Sequence, residues 1–490
     1  GRIASAAFSA PAALYLLCCS FLFHSTRHVS RADGPYCAFA APNYGDPLTA
    51  MDMVGKEPKG CKKALACHIL GLQWGHTMDD EVTQLIGRGT FTEVSLEDIY
   101  KASRHDSTIT LLRTHFVFKI KTKDDGFGHP TLDKLKARLV AGGDKQSYGD
   151  YLESYAPVVK FETFKILIAL MTMCGLQSCS IDFVGAYLNS VLKEDNLYGT
   201  FPSGYKRHDS QGRETCMHFR KGLYGLVQSG AAWHRTLRVW LLAYGFESLK
   251  SDPCVYMLIS GVYMLIVCTY VDDCLILFNC KDLKDRFLAA VGDPTTGFEV
   301  KVSDTMSWFL GVQVVRTPTT TQLDARKMIN EKLLALGLAN ATPKPTSVVP
   351  LQPSKQNAEL LGASDATWYR MAVGALMYVM IWRPDVSYAA TACSKKMQAP
   401  TVGDRMCVCR VWRYLKGTIN GYILTYHVNP SPIHHPSPAL ARHCGTTIAV
   451  TVLDANWKAP RSTSSFTTFV VGASVMTKTK EQDTTALSTF

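Results

Sequence analysis

The stretch Val262–Phe278, with the sequence VYMLIVCTYVDDCLILF, consists of two apolar runs separated only by Val271-Asp272-Asp273. Valine, isoleucine, tyrosine and phenylalanine favour β-strands, so the pattern predicts a tight antiparallel hairpin with acid at its tip. Adjacent carboxylates repel each other and are costly to desolvate, so this pair needs full solvent or a cation. An acidic pair taken alone is more often an ordinary turn. Flanking strands this apolar are unsuited to an exposed edge, which favours a metal site.

A third carboxylate lies far upstream in a similar setting. Asp182 closes the run SCSID, and the pattern predicts a buried strand over Cys179–Val184 with a helix start near Ala186. We expect this strand to lie beside the acidic hairpin, which would bring Asp182 close to Asp272 and Asp273. Mg²⁺ prefers hard oxygen ligands and commonly takes one or two carboxylates together with substrate phosphates. The three aspartates are therefore candidate metal ligands.

The composition is that of a largely globular chain. Its 490 residues are 47% hydrophobic and 19% charged, which excludes an intrinsically disordered chain and a polytopic membrane protein. Lysine and arginine number 52 against 41 aspartates and glutamates, and this net charge of +11 suits a polyanionic partner without requiring one. The 16 cysteines follow no zinc-binding spacing, so we expect reduced, mostly buried thiols.

The N-terminal part of the chain gives the weakest signals. The apolar segment Ala4–Phe23 has roughly the length of a bilayer span or a signal-peptide core, but Pro11 and several small residues weaken it. We favour a short N-terminal extension over a membrane or export signal, and we assign residues 1–110 no chemistry. The chain begins with Gly1 and stops within a patterned segment, so we expect a piece of a longer product.

Apolar periodicity predicts further elements along the chain. A basic hairpin is expected over Arg113–Ile120 and Leu135–Gly143, and the proline-rich Pro343–Pro353 is the best linker candidate. The predicted helices are Thr163–Cys174, Gly222–Tyr244 after an initial turn, Lys281–Val291, Arg326–Leu336, Trp368–Tyr378 and Met406–Leu415. Predicted strands are Phe309–Val315 and Thr447–Leu453.

An ordered series of short motifs covers about residues 113–490. The series is FVFKIK (116–121), KARLVAGG (136–143), YAPVVKFETFKILIAL (155–170), IDFVGAYLN (181–189), FPSGY (201–205), LYGLVQ (223–228), YVDD (270–273), WFLGVQV (308–314), YRMAVGALMYVMIWRPDVSYA (369–389), RYLKGT (413–418) and LDANWKAPRSTSSF (453–466). Through these motifs the chain resembles the reverse transcriptase region of Copia-type long-terminal-repeat retrotransposons.

The resemblance implies an α+β fold built as a right-handed polymerase. Such a fold has fingers, a palm with a ferredoxin-like antiparallel sheet, and a thumb. Residues 111–342 would form these three parts, residues 343–445 a linker and connection, and residues 446–490 the truncated start of an RNase H-like α/β unit. Residues 1–110 would be a poorly defined extension that contains the apolar segment 4–23.

The resemblance also implies roles for the three carboxylates. Asp182 and Asp272 match the two metal-bridging aspartates of the family, and Asp273 matches the third palm carboxylate. Two Mg²⁺ ions, or Mn²⁺ in their place, would lower the pKa of a primer 3′-hydroxyl and stabilise the leaving pyrophosphate. The implied function is RNA-directed DNA polymerisation, in which dNTPs are added to a DNA or RNA primer on an RNA template.

Three residues match positions that contact the incoming nucleotide. Tyr187, five residues after Asp182, matches an aromatic residue that excludes a ribose 2′-hydroxyl by sterics. Without Asp182 beside it, an ordinary core tyrosine would be the better interpretation. Lys136 and Arg138 are candidates to bind triphosphate oxygens, although a solvated basic edge strand is a comparable interpretation.

The segment LYGLVQ both supports the resemblance and departs from it. Gly225 and Gln228 resemble the family's template and nucleotide contacts, where a small residue lets backbone approach a base pair, and Tyr270 of YVDD completes the expected substrate-binding set. The family usually has a lysine at the position of Val227 and another at Gly142. Losing phosphate contacts weakens nucleic-acid binding, which leaves an alternative: a decayed, catalytically weak element-derived protein that at most binds nucleic acid.

The last motif bears on a second activity. Asp454 matches the first RNase H carboxylate, but Asn456 stands where the family has another aspartate. One aspartate cannot complete a two-metal nuclease site, so we expect no RNase H activity from this chain. Other element-encoded proteins are expected partners, and membrane association is disfavoured. The expected location is the cytoplasm or a virus-like particle, with the nucleus as an alternative.

Overall fold

The computed structural model describes residues 57–67, 70–124, 130–348, 354–428, 446–454, 463–470 and 473–481. The apolar segment Ala4–Phe23 lies outside these residues. Among the residues described, no helix is both long and apolar enough to cross a bilayer. The chain has a mixed α+β fold that is rich in antiparallel sheets.

The described helices are α1 (Cys61–Leu65), α2 (Gly71–Gly87), α3 (Leu96–Ala102), α4 (Phe161–Cys174), α5 (Ser229–Tyr244), α6 (Lys281–Val291), α7 (Arg326–Ala335), α8 (Ala363–Val379), α9 (Ser387–Ser394) and α10 (Val402–Gly417). The described strands are β1 (Phe91–Ser95), β2 (Thr110–Asp124), β3 (Pro130–Ala141), β4 (Gln177–Phe183), β5 (Leu197–Thr200), β6 (Thr215–Phe219), β7 (Glu247–Ser248), β8 (Val255–Ser260), β9 (Tyr263–Tyr270), β10 (Asp273–Phe278), β11 (Val300–Ser303), β12 (Trp308–Phe309), β13 (Val312–Arg316), β14 (Thr320–Asp324), β15 (Leu424–His427), β16 (Thr446–Asp454), β17 (Thr463–Val470) and β18 (Ala473–Glu481). The sheets have the orders β1-β6-β5-β2-β3, β11-β4-β10-β9-β8-β7, β12-β13-β14-β15 and β16-β17-β18.

The first sheet contains the predicted basic hairpin, β2–β3. As the alternating sequence predicts, β2 buries Phe116 and Phe118 on one face and exposes Lys119 on the other. Helix α2 packs along the edge strand β3, and the Trp74 ring centroid lies 5.1 Å from that of Phe118. Strand β1 pairs with β6 in the same sheet. The described part of residues 57–110 therefore shares this sheet and its core with the hairpin.

The second sheet is buried on both faces, which explains its continuous apolar sequence. In β10, Leu275 and Leu277 pack in the cluster that contains α4, whereas Cys274 and Ile276 pack with α5 and α6. Helix α4 ends at Gly175, whose left-handed φ of +66° closes the helix and turns the chain toward β4. This sheet carries the acidic hairpin, β9–β10, and the strand of Asp182.

The third sheet departs from its prediction. The expected strand Phe309–Val315 is interrupted at Leu310 and Gly311, whose φ values of +49° and +71° form a tight turn between β12 and β13. Leucine rarely adopts left-handed backbone, so sequence propensity gives no sign of this turn. The Tyr378 hydroxyl on α8 donates to the Leu310 carbonyl at 2.7 Å and holds the turn from outside.

The C-terminal helices belong to the largest core. This core runs from α4 through the third sheet into α8, α9 and α10, and it reaches Val475 of β18. The six helices predicted from apolar periodicity are present, and α10 begins four residues earlier than predicted because Thr401 and Asp404 form a reciprocal capping box. The helix expected to start near Ala186 is instead a single 3-10 turn, Ala186–Asn189. The described cysteines are free thiols, and most of them are buried.

Candidate active site

The three aspartates lie side by side at one end of the second sheet. Strand β4 pairs antiparallel with β10, and Asp182 lies directly opposite Asp273. The Phe183 N–H donates to the Asp272 carbonyl at 2.9 Å, which ties the hairpin turn to the end of β4. Val271 takes a φ of +56° in that two-residue turn. Residues far apart in sequence are thus neighbours, as the sequence predicts for their strands.

The electrostatics of the acidic end are unfavourable in the isolated chain. All three aspartates are half-buried. Burial, together with the charges of Asp272 and Asp182, raises the pKa of Asp273 to about 7. Lys301 of β11 lies opposite Asp182 on the other side of β4. Burial lowers the pKa of Lys301, and the Asp182 charge opposes that shift.

Two clefts open beside the aspartates and share Asp182. The large cleft, about 530 Å³, is lined by Asp182, Asp272 and Tyr224 together with residues of α2 and β3. The small cleft, about 200 Å³, is lined by Asp182, Asp273, Lys301, Ser303 and Trp308, among others. Asp182 therefore stands between two spaces, each of which it shares with one of the paired aspartates.

The donor set suits a hard divalent cation, although no three-ligand cluster is already formed. In the described part of the chain, no group of three His, Cys, Asp or Glu side chains converges closely enough to hold a metal. The carboxylate oxygens are the ligands that Mg²⁺ and Mn²⁺ prefer. A bound cation would also relieve the repulsion that raises the pKa of Asp273. The oxygen ligands and the mutual repulsion of the carboxylates both suit a bound divalent cation. Asp182 is the candidate ligand that lines both clefts.

The predicted basic residues line the large cleft. Lys136 and Arg138 project from the edge strand β3, and the Arg138 guanidinium carbon lies 4.7 Å from the Tyr224 ring centroid. The pKa of Lys136 is lowered to about 8, mainly by burial and also by the Arg138 charge, and the Glu81 charge opposes that shift. The structure thus places both cations across one cleft from Asp182 and Asp272.

Helix α2 supplies a residue that the sequence analysis missed. Glu81 lines the large cleft, and its Oε1 accepts the Leu139 N–H of β3 at 3.1 Å. Burial raises the pKa of Glu81, and Lys136 and Arg138 oppose that shift. The apolar spacing of Trp74, Met78, Val82 and Leu85 would have predicted the helix. Nothing local indicates that its acidic side meets β3.

Tyr187 lies near the acidic end, is half-buried and lines neither cleft. Its ring meets that of Tyr224 edge-on, with 5.2 Å between centroids. Burial raises the pKa of Tyr187, and the Asp272 charge adds to the shift. Tyr270 is buried more deeply. It is 2% exposed, it also lines neither cleft, and its hydroxyl has no hydrogen-bond partner in the described ranges. The structure places the Tyr270 ring in the core behind the aspartates.

Gly225 and Gln228 hold two loops together and line neither cleft. Gly225 has a φ of +91°, and a Cβ added there would lie 2.1 Å from the Ala141 carbonyl oxygen. Gln228 is 3% exposed, and its Oε1 accepts an N–H of Gln146 at 3.1 Å. Gln146 also accepts the Val227 N–H at 2.9 Å. The structure assigns these residues to loop packing, and Gln146 is a partner that the sequence did not reveal.

Sequence comparison identifies the class of protein. A family model for reverse transcriptase (RNA-dependent DNA polymerase) matches residues 98–350, and the chain belongs to that family. Among its relatives is the retrovirus-related Pol polyprotein of transposon RE1 from Arabidopsis thaliana, 32% identical over 370 residues. That alignment covers 75% of this chain and 24% of the relative.

Two further relatives place the chain within the family. The Pol polyprotein of transposon RE2 from Arabidopsis thaliana is 30% identical over 75% of this chain and 24% of its own length. That of transposon TNT 1-94 from Nicotiana tabacum is 30% identical over 74% of this chain and 27% of its own length. The resemblance to Copia-type retrotransposons is confirmed. The chain spans about a quarter of the length of these curated relatives.

Proposed function

We propose that the chain is an RNA-directed DNA polymerase that adds dNTPs to a primer 3′-hydroxyl at Asp182, Asp272 and Asp273. One observation carries the proposal: Asp182 lies opposite Asp273 and shares a cleft with each of the paired aspartates. Membership of the reverse transcriptase family supports the reaction type. In this proposal the β2–β3 hairpin belongs to the fingers, the second sheet to the palm, and the helices after residue 325 to the thumb and connection.

The aspartates would hold divalent cations, Mg²⁺ or Mn²⁺, which supply charge neutralisation for a triphosphate and acidify a primer hydroxyl. Lys136 and Arg138 face these carboxylates across the large cleft and would bind triphosphate oxygens there. Tyr187 is half-buried near the acidic end, and its match to the family's aromatic position implies that its ring would exclude a ribose 2′-hydroxyl. The side chains of the protein would therefore position the substrates, balance their charge and select the sugar by steric exclusion.

The small cleft suits the primer end. It is lined by two of the aspartates, by Lys301 and by the exposed Trp308. Trp308 lies next to the turn whose Leu310 carbonyl accepts a hydrogen bond from the Tyr378 hydroxyl. A cation and an aromatic face are groups that bind a nucleotide's phosphate and base. We therefore assign the triphosphate to the large cleft and the primer terminus to the small one.

A second candidate is a decayed protein that binds nucleic acid without catalysis. The loop at Gly142 favours this second candidate. The Gly142 N–H donates to the Arg113 carbonyl at 2.8 Å, and a Cβ added to Gly142 would lie 2.9 Å from the same oxygen. The family's lysine could not occupy this position without a different loop. The missing RNase H activity also stays a prediction, since the side chain of Asp454 lies outside the described part of the structure.

Primer extension distinguishes the two candidates. The parent chain is incubated with an RNA template, a labelled DNA primer, dNTPs and Mg²⁺, beside Asp272→Asn and Asp182→Asn. Asp144→Asn, an exposed surface change, is the matched control. The proposal expects extension by the parent and the control and loss in both site variants. Extension that survives Asp272→Asn contradicts the site, and a folded but inactive parent favours the decayed protein.

A further inference from the structure

A groove outside the candidate active site is lined by cations. It has a volume of about 470 Å³ and lies between α9, α10 and the segment 344–348. Its basic side chains are Lys344, Arg405, Arg410 and Arg413. Within the described ranges no carboxylate lines it. We call this feature the basic groove.

The sequence of α10 explains how the arginines come together. The helix buries one stripe in the core, made of Val408, Val411, Trp412 and Leu415. At about 100° per residue, Arg405, Arg410 and Arg413 fall within an arc of about 140° on the other side. With a rise of about 1.5 Å per residue, the three side chains extend over about 12 Å of the helix. Lys344 lies at the Arg413 end, where its N–H donates to the Arg413 carbonyl at 3.1 Å.

A row of arginines on an exposed helix is often only a solvated face, but these side chains are held in place. Arg410 donates to the Thr346 hydroxyl at 2.7 Å, and Arg413 donates to the Thr342 carbonyl at 2.6 Å. The Arg405 guanidinium carbon lies 5.1 Å from the ring centroid of Trp368. Fixed guanidinium groups keep less rotamer freedom, so they lose less on binding an anion.

Two of these guanidinium groups have an unused donor. The Nε atoms of Arg405 and Arg410 are buried and have no acceptor among the described residues. Because these two atoms are covered, an anion in the groove would meet the terminal N–H groups of the same side chains rather than Nε. Asp365 pairs with the Arg405 guanidinium at 3.5 Å, and Asp404 is engaged in the helix cap. The groove therefore has positive charge and, among the described residues, no lining carboxylate.

We propose that the basic groove binds the sugar–phosphate backbone of one nucleic-acid strand. Arginine pairs well with phosphate oxygens, and a row about 12 Å long extends beyond the reach of a single phosphate group. Several consecutive phosphates match it better than a free nucleotide does. This inference depends on the proposed function only for the choice of nucleic acid as the polyanion. It does not require the chain to be catalytically active.

Thiol protection tests the site directly, because Cys393, Cys407 and Cys409 line the groove. Cys407 and Cys409 are half-buried there, and the exposed Cys174 on α4 provides an internal control. The full chain carrying Asp272→Asn is treated with N-ethylmaleimide, with and without a single-stranded RNA oligonucleotide, and each cysteine is followed by peptide mass spectrometry. A further arm contains inorganic triphosphate. Use of the Asp272→Asn chain removes turnover from the measurement.

The proposal expects the oligonucleotide to slow alkylation of Cys407 and Cys409 several-fold while Cys174 is unchanged. Equal protection by triphosphate would replace the strand with a small phosphate compound and overturn the proposal. Unchanged alkylation in both arms would also overturn it. Protection in a chain whose parent shows no primer extension would keep this proposal and reject only the polymerase.

Salt-dependent binding of the same oligonucleotide gives an independent test. Arg410→Gln and Arg413→Gln should each reduce the slope of log affinity against log salt by about one, as for a lost phosphate contact. Lys396→Gln is the matched control, since Lys396 is exposed near the groove but does not line it. Circular dichroism confirms that each variant is folded. Unchanged slopes in both folded arginine variants would contradict the proposal.

Discussion

Lys165 offers the sharpest test of the packing around α4. Its side chain is 4% exposed, its Nζ donates to the Ile381 carbonyl, and it lies 5.6 Å from the ring centroid of Trp382. Burial lowers the pKa of Lys165 from 10.5 to about 8, and the Glu162 charge opposes that shift only in part. The fold therefore carries a buried ammonium group at neutral pH, which costs stability.

The size and sign of that cost follow from the two pKa values. The difference between 10.5 and about 8 is worth about 3 kcal/mol, because one pKa unit corresponds to about 1.4 kcal/mol. Between these values the unfolded chain binds more protons than the folded chain, so the free energy of unfolding rises with pH. The penalty is fully present below pH 8 and is gone above pH 10.5.

The perturbation is Lys165→Met, which removes the titrating group and keeps an unbranched apolar side chain. The variant should exceed the parent in free energy of unfolding near pH 7 by about 2 kcal/mol, after about 1 kcal/mol is subtracted for the lost hydrogen bond. That advantage should shrink by about 3 kcal/mol as the pH rises past 10, since only the parent gains from deprotonation.

Urea unfolding of both proteins, followed by tryptophan fluorescence and circular dichroism at half-unit steps from pH 7 to 10, measures the effect. The quantity to compare is the difference between variant and parent. Buried groups such as Cys254 and Tyr426, whose pKa values are raised by burial, destabilise both chains alike as the pH rises. A difference that stays constant or grows from pH 7 to 10 would refute the reasoning.

Three further predictions concern loop packing, the buried ion pair and the large cleft. Gly225→Ala should lower the free energy of unfolding by about 2 kcal/mol or more in thermal unfolding, since the added methyl group clashes with the Ala141 carbonyl and the residue must keep a positive φ. The control Gly212→Ala, with φ +77° and open space around the added Cβ, should show only the cost of the positive φ. Arg383→Met should cost about 3 kcal/mol in urea unfolding, because it leaves the half-buried Asp385 carboxylate without its bidentate partner and with only the Tyr414 hydroxyl as donor; a cost below 1 kcal/mol would contradict the importance of that pair. If the proposed function holds, the KM for dNTP should rise as the pH passes about 8 and Lys136 loses its proton, and Glu81→Gln should move that rise to lower pH; an unchanged pH profile would argue against Glu81 as the charge partner.

The elements that the sequence predicted well are those with a strong local period. The hairpin Val262–Phe278 and the strand of Asp182 were predicted because apolar residues and one acidic turn leave few alternatives. Their adjacency follows as well, because a strand with apolar residues on both faces needs neighbours within a buried sheet. The family resemblance then gave a reason to compare Asp182 with Asp273, and the structure places them in register.

What the sequence did not predict depends on contacts between distant segments. Glu81 reaches β3 only because α2 packs along a sheet edge. Motif position alone also does not show that the alternation of β9 directs the Tyr270 side chain into the core. Gly225 needs its positive φ to approach Ala141, a backbone contact that no local pattern encodes. These features concern side-chain direction and loop packing rather than the order of strands.

The central claim is that Asp182, Asp272 and Asp273 together hold divalent metal, and Mn²⁺ binding followed by electron paramagnetic resonance tests it most directly. The parent and Asp144→Asn should bind Mn²⁺ alike, and Asp182→Asn and Asp273→Asn should each weaken binding by at least about tenfold, since even loss of an outer-shell partner commonly costs that much. Mn²⁺ affinity that is the same in the parent and in both site variants would contradict the account.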